Sequence, residues 1–143
     1  MRKASRIIYL VAAILSIFAA IGFLISGIVL IVIPNTETFI QAFIDTYNAE
    51  ATGSSISVAE ALEACQAFMI ALGVELIIHG VCAGVNSFLA FKAHHDPKPS
   101  KPLNVLNIVF SVLGLVEVNI VAAIFAFIAD HQEENRPAVE EKK

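Results

Sequence analysis

Charge is scarce in this sequence: nine Lys/Arg and thirteen Asp/Glu occur in 143 residues, nearly all of them between apolar runs or at the chain ends. The net charge of −4 has no basic patch behind it, and the aromatic residues lie mostly in the apolar runs, which excludes nucleic acid as a partner. Cysteine is almost missing. Cys65 and Cys82 fall in one expected helix, where seventeen residues at about 1.5 Å each put them roughly 25 Å apart. A disulfide needs Cα atoms within about 7 Å, so the two cannot pair within the chain. An intermolecular bridge through Cys65 is the alternative to reading both as small apolar helix residues.

Catalytic signatures are lacking as well. There is no GxSxG elbow, Walker loop, HExxH or CxxC, and each of these patterns carries a specific chemistry. Ser111 with His79 offers only a spatial pairing, so the expectation is no enzyme and no cofactor. The length leaves no room beside the apolar segments for a separate catalytic module.

What the chain does have is apolar surface. Its hydrophobic fraction is 57%, against about 45–50% for a soluble domain, and its mean hydropathy is +0.78. The expected fold is an all-α membrane protein with three transmembrane helices, over about 7–33, 64–92 and 103–129, and a short amphipathic extracytoplasmic helix. The basic start, Arg2, Lys3 and Arg6, followed by an apolar run is also the layout of a secretory signal, whose apolar region is about 7–15 residues long. Here the run extends from Ile7 to Ile33, enough to span, and a cut near Ala20 and Gly22 would leave Phe23 to Ile33 behind. It reads as an uncleaved anchor, with no lipobox cysteine nearby.

Between the first two spans, residues 34–62 carry no Lys or Arg. After Pro34, the polar run Asn35, Thr36, Glu37 is a helix-start signal, and Phe39, Ile40, Phe43, Ile44 and Tyr47 then recur at helical spacing. That helix either lies against the ends of the spans or acts as a lid or docking surface. Gly53 and its serine neighbours make 51–57 a flexible loop. Ser57 with Glu60 has the form of a capping box, which starts the second long helix well before its apolar part. The loop 93–102, with Pro97, Pro99 and Pro102, is stiff. Residues 130–143 read as a polar tail.

Lys and Arg in short loops set the orientation: N-terminus and loop 93–102 cytoplasmic, segment 34–62 outside, and the tail outside after an odd number of spans. The tail fits least well, because Lys142 and Lys143 sit in it.

Small residues mark where helices approach in lipid. Ala12, Ser16, Ala20 and Gly27 form one stripe on the first span, Gly73, Gly80 and Gly84 one on the second, and Ser111, Gly114, Ala122 and Ala126 one on the third. Gly80 and Gly84 make a GxxxG match, a contact inside the bundle or between copies. Ionisable groups in an apolar layer are costlier, at about 2.5–3.5 kcal/mol on insertion scales. Glu75, His79, Cys82 and Asn86 align on one helix face, and Glu117 should reach a similar depth from the third span. Asn104 and Asn107 extend a polar stripe, while Asn119 points about a third of a turn from Asn107.

Three readings of the cluster stay open. It is a register-fixing hydrogen-bond network with a protonated acid, or a proton or cation pathway. The third is a metal site of Glu75, His79 and Glu117 with Cys82, although that geometry lacks a specific signature. His94 and His95 read as solvated residues at a helix end.

In its basic start, its glycines Gly22 and Gly27 in the first span, its acidic outer segment and its further Gly-bearing spans, the chain resembles in layout the small bacterial membrane proteins grouped as domains of unknown function. The resemblance implies an inner-membrane location and brings no functional residues. The expected role is a structural or accessory membrane component whose partners are the lipid bilayer and a second copy or another membrane protein. A small proton- or cation-coupled permeation protein is the alternative.

Overall fold

The computed structural model describes residues 2–50 and 56–134. The flexible-loop reading of 51–55 and most of the polar tail lie outside them. Five α-helices account for most of the described residues, with no strand among them: α1 (Arg2–Val32), α2 (Glu37–Glu50), α3 (Val58–His95), α4 (Lys101–Leu113) and α5 (Val118–Glu134). Two of these, α1 with the 3-10 turn that follows it and α3, are long and apolar enough to cross a membrane.

The chain divides into two compact units, Met1–Ile21 with His79–Lys143, and Gly22–Ile78. In the second unit α1 ends where Pro34 enters a 3-10 turn over Ile33–Asn35. Thr36 then starts α2: its hydroxyl accepts from the Phe39 amide at 3.3 Å and donates to the Ile33 carbonyl at 2.7 Å. The rings of Phe39, Phe43 and Tyr47 line up one turn apart, with centroids 6.3 and 6.1 Å apart. Gln66 of α3 donates to the Pro34 carbonyl at 2.8 Å. Helices α1 and α3 pack here glycine to glycine, Gly27 against Gly73, each backbone so near the other that neither position has space for a methyl group.

The capping box at the start of α3 is formed. The Ser57 hydroxyl and amide both donate to Glu60 Oε2, at 2.7 and 3.0 Å, and the Glu60 amide donates back to Ser57 Oγ at 3.3 Å. The Ser57 hydroxyl first, and its amide second, hold the Glu60 carboxyl below its ordinary value of 4.5. A carboxyl whose folded pKa is lowered stabilises the fold above its unfolded pKa, and that contribution is lost as pH falls through the folded value. Amide exchange at Ala59 to Ala61 should therefore accelerate as pH falls below about 4.5, beyond the intrinsic pH dependence of exchange. The step should vanish in Glu60→Gln; if that variant keeps it, the capping account is wrong.

In the first unit the single helix expected over 103–129 is two. Ser100 caps α4, its hydroxyl accepting from the Leu103 amide at 3.4 Å, and Pro102 sits in the first turn, where no amide is needed. The helix stops at Gly114. Leu115 takes a left-handed φ of 54°, and the Val116 amide reaches back to the Ser111 carbonyl at 2.9 Å. Helix α5 then runs back: its end lies beside the start of α1 and the approach to α4, because Arg2 donates to Asp130 at 2.9 Å and to the Pro97 carbonyl at 3.3 Å. So α4 and α5 form a hairpin with both outer ends on the side of the N-terminus. This corrects the expectation of one continuous helix over 103–129, and it sets the end of α5 beside the start of α1. It also moves the start of the polar tail, since α5 continues to Glu134 and Arg2 pairs with Glu133.

Candidate functional site

The interior of the first unit is built from small and polar side chains. Among the described residues, ten of the thirteen buried apolar ones are alanine. Around these alanines Asn86, Asn104, Asn107, Asn119, Ser16, Ser111 and Tyr9 are all buried. Helix α4 shows why. Its buried face is Leu103, Asn104, Asn107 and Ser111, and its exposed face is Val105, Leu106, Val109, Val112 and Leu113.

These polar groups form a column. At its basic end the Ser5 hydroxyl donates to the Ala122 carbonyl at 2.9 Å, and Tyr9 donates to Asn104 Oδ1 at 2.8 Å. One turn on, Asn107 donates to the Leu103 carbonyl at 2.9 Å. Further in, Asn86 receives a bond from Asn119 Nδ2 at 2.7 Å and gives one to Ser16 Oγ at 3.1 Å, tying α1, α3 and α5 at one point. In the column three buried atoms have no partner among the described residues: Asn104 Nδ2, Asn107 Oδ1 and Asn119 Oδ1.

Where the hairpin turns, its backbone is satisfied by side chains. The Ser111 hydroxyl donates to the Val116 carbonyl, and His79 donates from Nδ1 to the Leu113 carbonyl at 2.6 Å. A carbonyl can only accept, so this bond fixes the proton on Nδ1. The backbone of the turn rests on α3: a Cβ at Gly114 would lie 2.8 Å from the Ala83 backbone.

Within the first unit the members of the sequence cluster take different places. Asn86 is at the centre of the column, His79 latches the hairpin tip, and Cys82 is half-buried and free as a thiol. Glu117 is exposed at the start of α5, its carboxylate making no hydrogen bond or ion pair among the described residues. Glu75 belongs to the second unit and is exposed. Among the described residues no three His, Cys, Asp or Glu side chains are grouped as a metal would require. The four packing glycines also differ. Gly73 and Gly114 stand against backbone, Gly80 is buried, and Gly84 faces open space, where an added Cβ meets nothing within 4 Å. Within the chain, Gly84 therefore makes no helix contact.

His94 is more than a solvated helix end: its Nδ1 donates to the Arg6 carbonyl while Arg6 Nε donates to the His94 carbonyl, both at 2.8 Å. His95 is exposed and donates to the Phe91 carbonyl at 3.0 Å. Reading the sequence also missed the joining of Ser16, Asn119 and Tyr9 to the column. The signal that could have found it was the recurrence of asparagine in segments otherwise made of Ile, Val, Leu and Ala.

The sequence matches no protein-family model, no curated protein and no solved structure.

Proposed function

We propose that the protein is an integral membrane component in which α1 and α3 cross the bilayer. The α4–α5 hairpin enters from the side of the N-terminus and returns to it. The observation that carries this is the inverted distribution of side chains: alanine, serine and asparagine inside, large apolar groups outside. Phe18 and Phe88 are each 69% exposed and Ile7 is 62% exposed, whereas in water these residue types are the ones most often buried. In lipid there is no hydrophobic force between helices, and small residues with interhelical hydrogen bonds hold a bundle together.

Helix α4 has 13 residues, about 20 Å, and the apolar part of α5 over 118–129 is about 18 Å long, against the ~30 Å of a hydrocarbon core. The hairpin is therefore re-entrant, and its irregular tip lies at membrane depth. Such backbone is tolerated in a bilayer where protein covers it, and His79, Ser111 and Ala83 supply that cover. With Arg2, Lys3, Arg6, Lys92, Lys98 and Lys101 at one end of the first unit and no Lys or Arg over residues 34–62, the N-terminus and the end of α5 are cytoplasmic and α2 is outside.

The role this supports is structural or accessory. The interior column is made of neutral carboxamides and hydroxyls bonded to one another, which fix helix register without carrying a titrating charge. The proton- or cation-permeation alternative rests on Glu75, His79 and Glu117, and in the first unit Glu117 is exposed, outside the buried column.

Fractionation and labelling test the reading together. The protein should stay in the membrane through an alkaline wash and come out only with detergent. With Cys65 and Cys82 replaced by alanine, Asn48→Cys should react with an impermeant thiol reagent in intact cells, whereas Ser100→Cys and Gln132→Cys should react only after permeabilisation. Release by the wash defeats the membrane reading, and labelling of Gln132→Cys from outside defeats the hairpin.

A further inference from the structure

We propose that the first unit carries a site for an anionic phospholipid, with one acyl chain in a groove between α1 and α3 and the phosphate between Lys3 and Lys92. This rests on the membrane reading above. The groove holds about 420 Å³ and is lined by Ile17, Ile21, Gly84, Ser87, Phe88 and Phe91, among others. It exists because position 84 has no side chain, and its wall is apolar because the Ser87 hydroxyl is turned away to the Ala13 carbonyl, at 2.9 Å.

The shape fits a chain rather than a helix. Gly84 to Phe91 covers about 10 Å along α3, so 420 Å³ corresponds to a cross-section of roughly 40 Å². A helix about 10 Å across needs about twice that, so a helix from a second copy would rest on the rim and leave the floor empty.

The groove's basic end supplies the complement to a phosphate. On α3, His95 follows Gly84 by three turns and Lys92 follows Phe88 by one, and on α1, Lys3 precedes Ile17 by nearly four turns, so all three continue the groove's side of their helices. The reciprocal bonds of Arg6 and His94 bring these two helix ends together. Lys3 and Lys92 are both exposed, and the side chain of neither makes a hydrogen bond or ion pair among the described residues. Arg2, by contrast, is committed to Asp130 and Glu133. Two unengaged ammonium groups at the mouth of an acyl-sized groove suit a lipid with a net negative headgroup, and a zwitterionic one gains less.

Native mass spectrometry of the full chain in mild detergent, titrated with phosphatidylglycerol or with phosphatidylcholine of the same chains, tests this. Phosphatidylglycerol should bind more tightly, and each of Lys3→Gln and Lys92→Gln should weaken it about fivefold while leaving phosphatidylcholine unchanged. Gly84→Phe, whose ring fills the groove, should abolish retention of both lipids. Equal affinity for the two lipids, or phosphatidylglycerol binding unaffected by both lysine substitutions, overturns the proposal. A dimer that Gly84→Phe dissolves overturns it too, assigning the groove to a second copy. Should Gly84→Phe fail to fold, the two lysine variants, at exposed and unpaired positions, decide alone. Protein that needs detergent for extraction yet shows no lipid preference refutes the groove and leaves the membrane reading standing.

Discussion

Alanine at Gly27 or at Gly73 is expected to lower stability in detergent by about 1–3 kcal/mol, the usual cost of overpacking, although each change adds only one methyl group. At Gly27 that methyl would stand 2.6 Å from the Gly73 carbonyl oxygen and 2.7 Å from Ile77 Cγ1, and at Gly73 it would stand 2.7 Å from the Gly27 carbonyl oxygen. Backbone atoms have no rotamer into which to retreat, so α1 and α3 must part. Once parted for one methyl they already accommodate the other, and the double variant should cost less than the two singles added together. Gly22 and Gly84 supply the contrast. A Cβ at either meets nothing within 4 Å, and alanine there should raise stability by up to about 1 kcal/mol through helix propensity. Unfolding in a mixed-detergent titration followed by circular dichroism measures all five proteins. Additive singles, or losses at Gly22 and Gly84 equal to those at Gly27 and Gly73, would mean that the close approach is absent.

The second large effect is expected in the carboxamide column, where two asparagines of equal burial should behave in opposite ways. Leucine matches asparagine in side-chain branching and heavy-atom count but is bulkier, so the substitution removes the polarity and adds the same bulk at both positions. Asn86→Leu removes the bonds to Ser16 and Asn119 together and leaves two buried donors and acceptors orphaned on other helices. It should cost about 1–3 kcal/mol. Asn107 is bonded mainly to the Leu103 carbonyl of its own helix, and its Oδ1 is unpartnered. Asn107→Leu deletes a buried orphan and should be neutral or stabilising. The same titration reads both, and equal losses at the two positions would show that the column's bonds do not set its energetics.

Much of the architecture was legible because it rests on local signals. The apolar run from Ile7 gave α1, the Ser57 and Glu60 pair marked the start of α3, and Thr36 with Glu37 gave the start of α2. The hairpin was not legible, because its turn residue, Leu115, belongs to a type that rarely takes a positive φ, so nothing in the sequence marks the reversal. Gly114 looked like one more packing glycine in a continuous span. Glu117, which in the structure sits at the N-terminal end of α5, looked like an acid stranded in mid-membrane. The error then propagated. With 103–129 drawn as one helix, Asn119 fell a third of a turn from Asn107 and was set aside. With the helix broken between them, the phase relation lapses and Asn119 meets Asn86. The polar interior of the first unit is thus built of amides and hydroxyls, and of the expected cluster it holds Asn86.

The brevity of the hairpin arms bears on how the protein is made. Neither α4 nor α5 offers the ~20 apolar residues that let a segment partition into lipid unaided, and each presents asparagine on the face it buries. On the proposed membrane reading, neither arm can therefore be committed to the bilayer on its own. Both must arrive as a pair against groups already waiting for them: Tyr9, Ser5 and Ser16 on α1, and His79 and Asn86 on α3. All five of those groups leave the ribosome earlier, so the receiving surface is complete before the hairpin that needs it is synthesised.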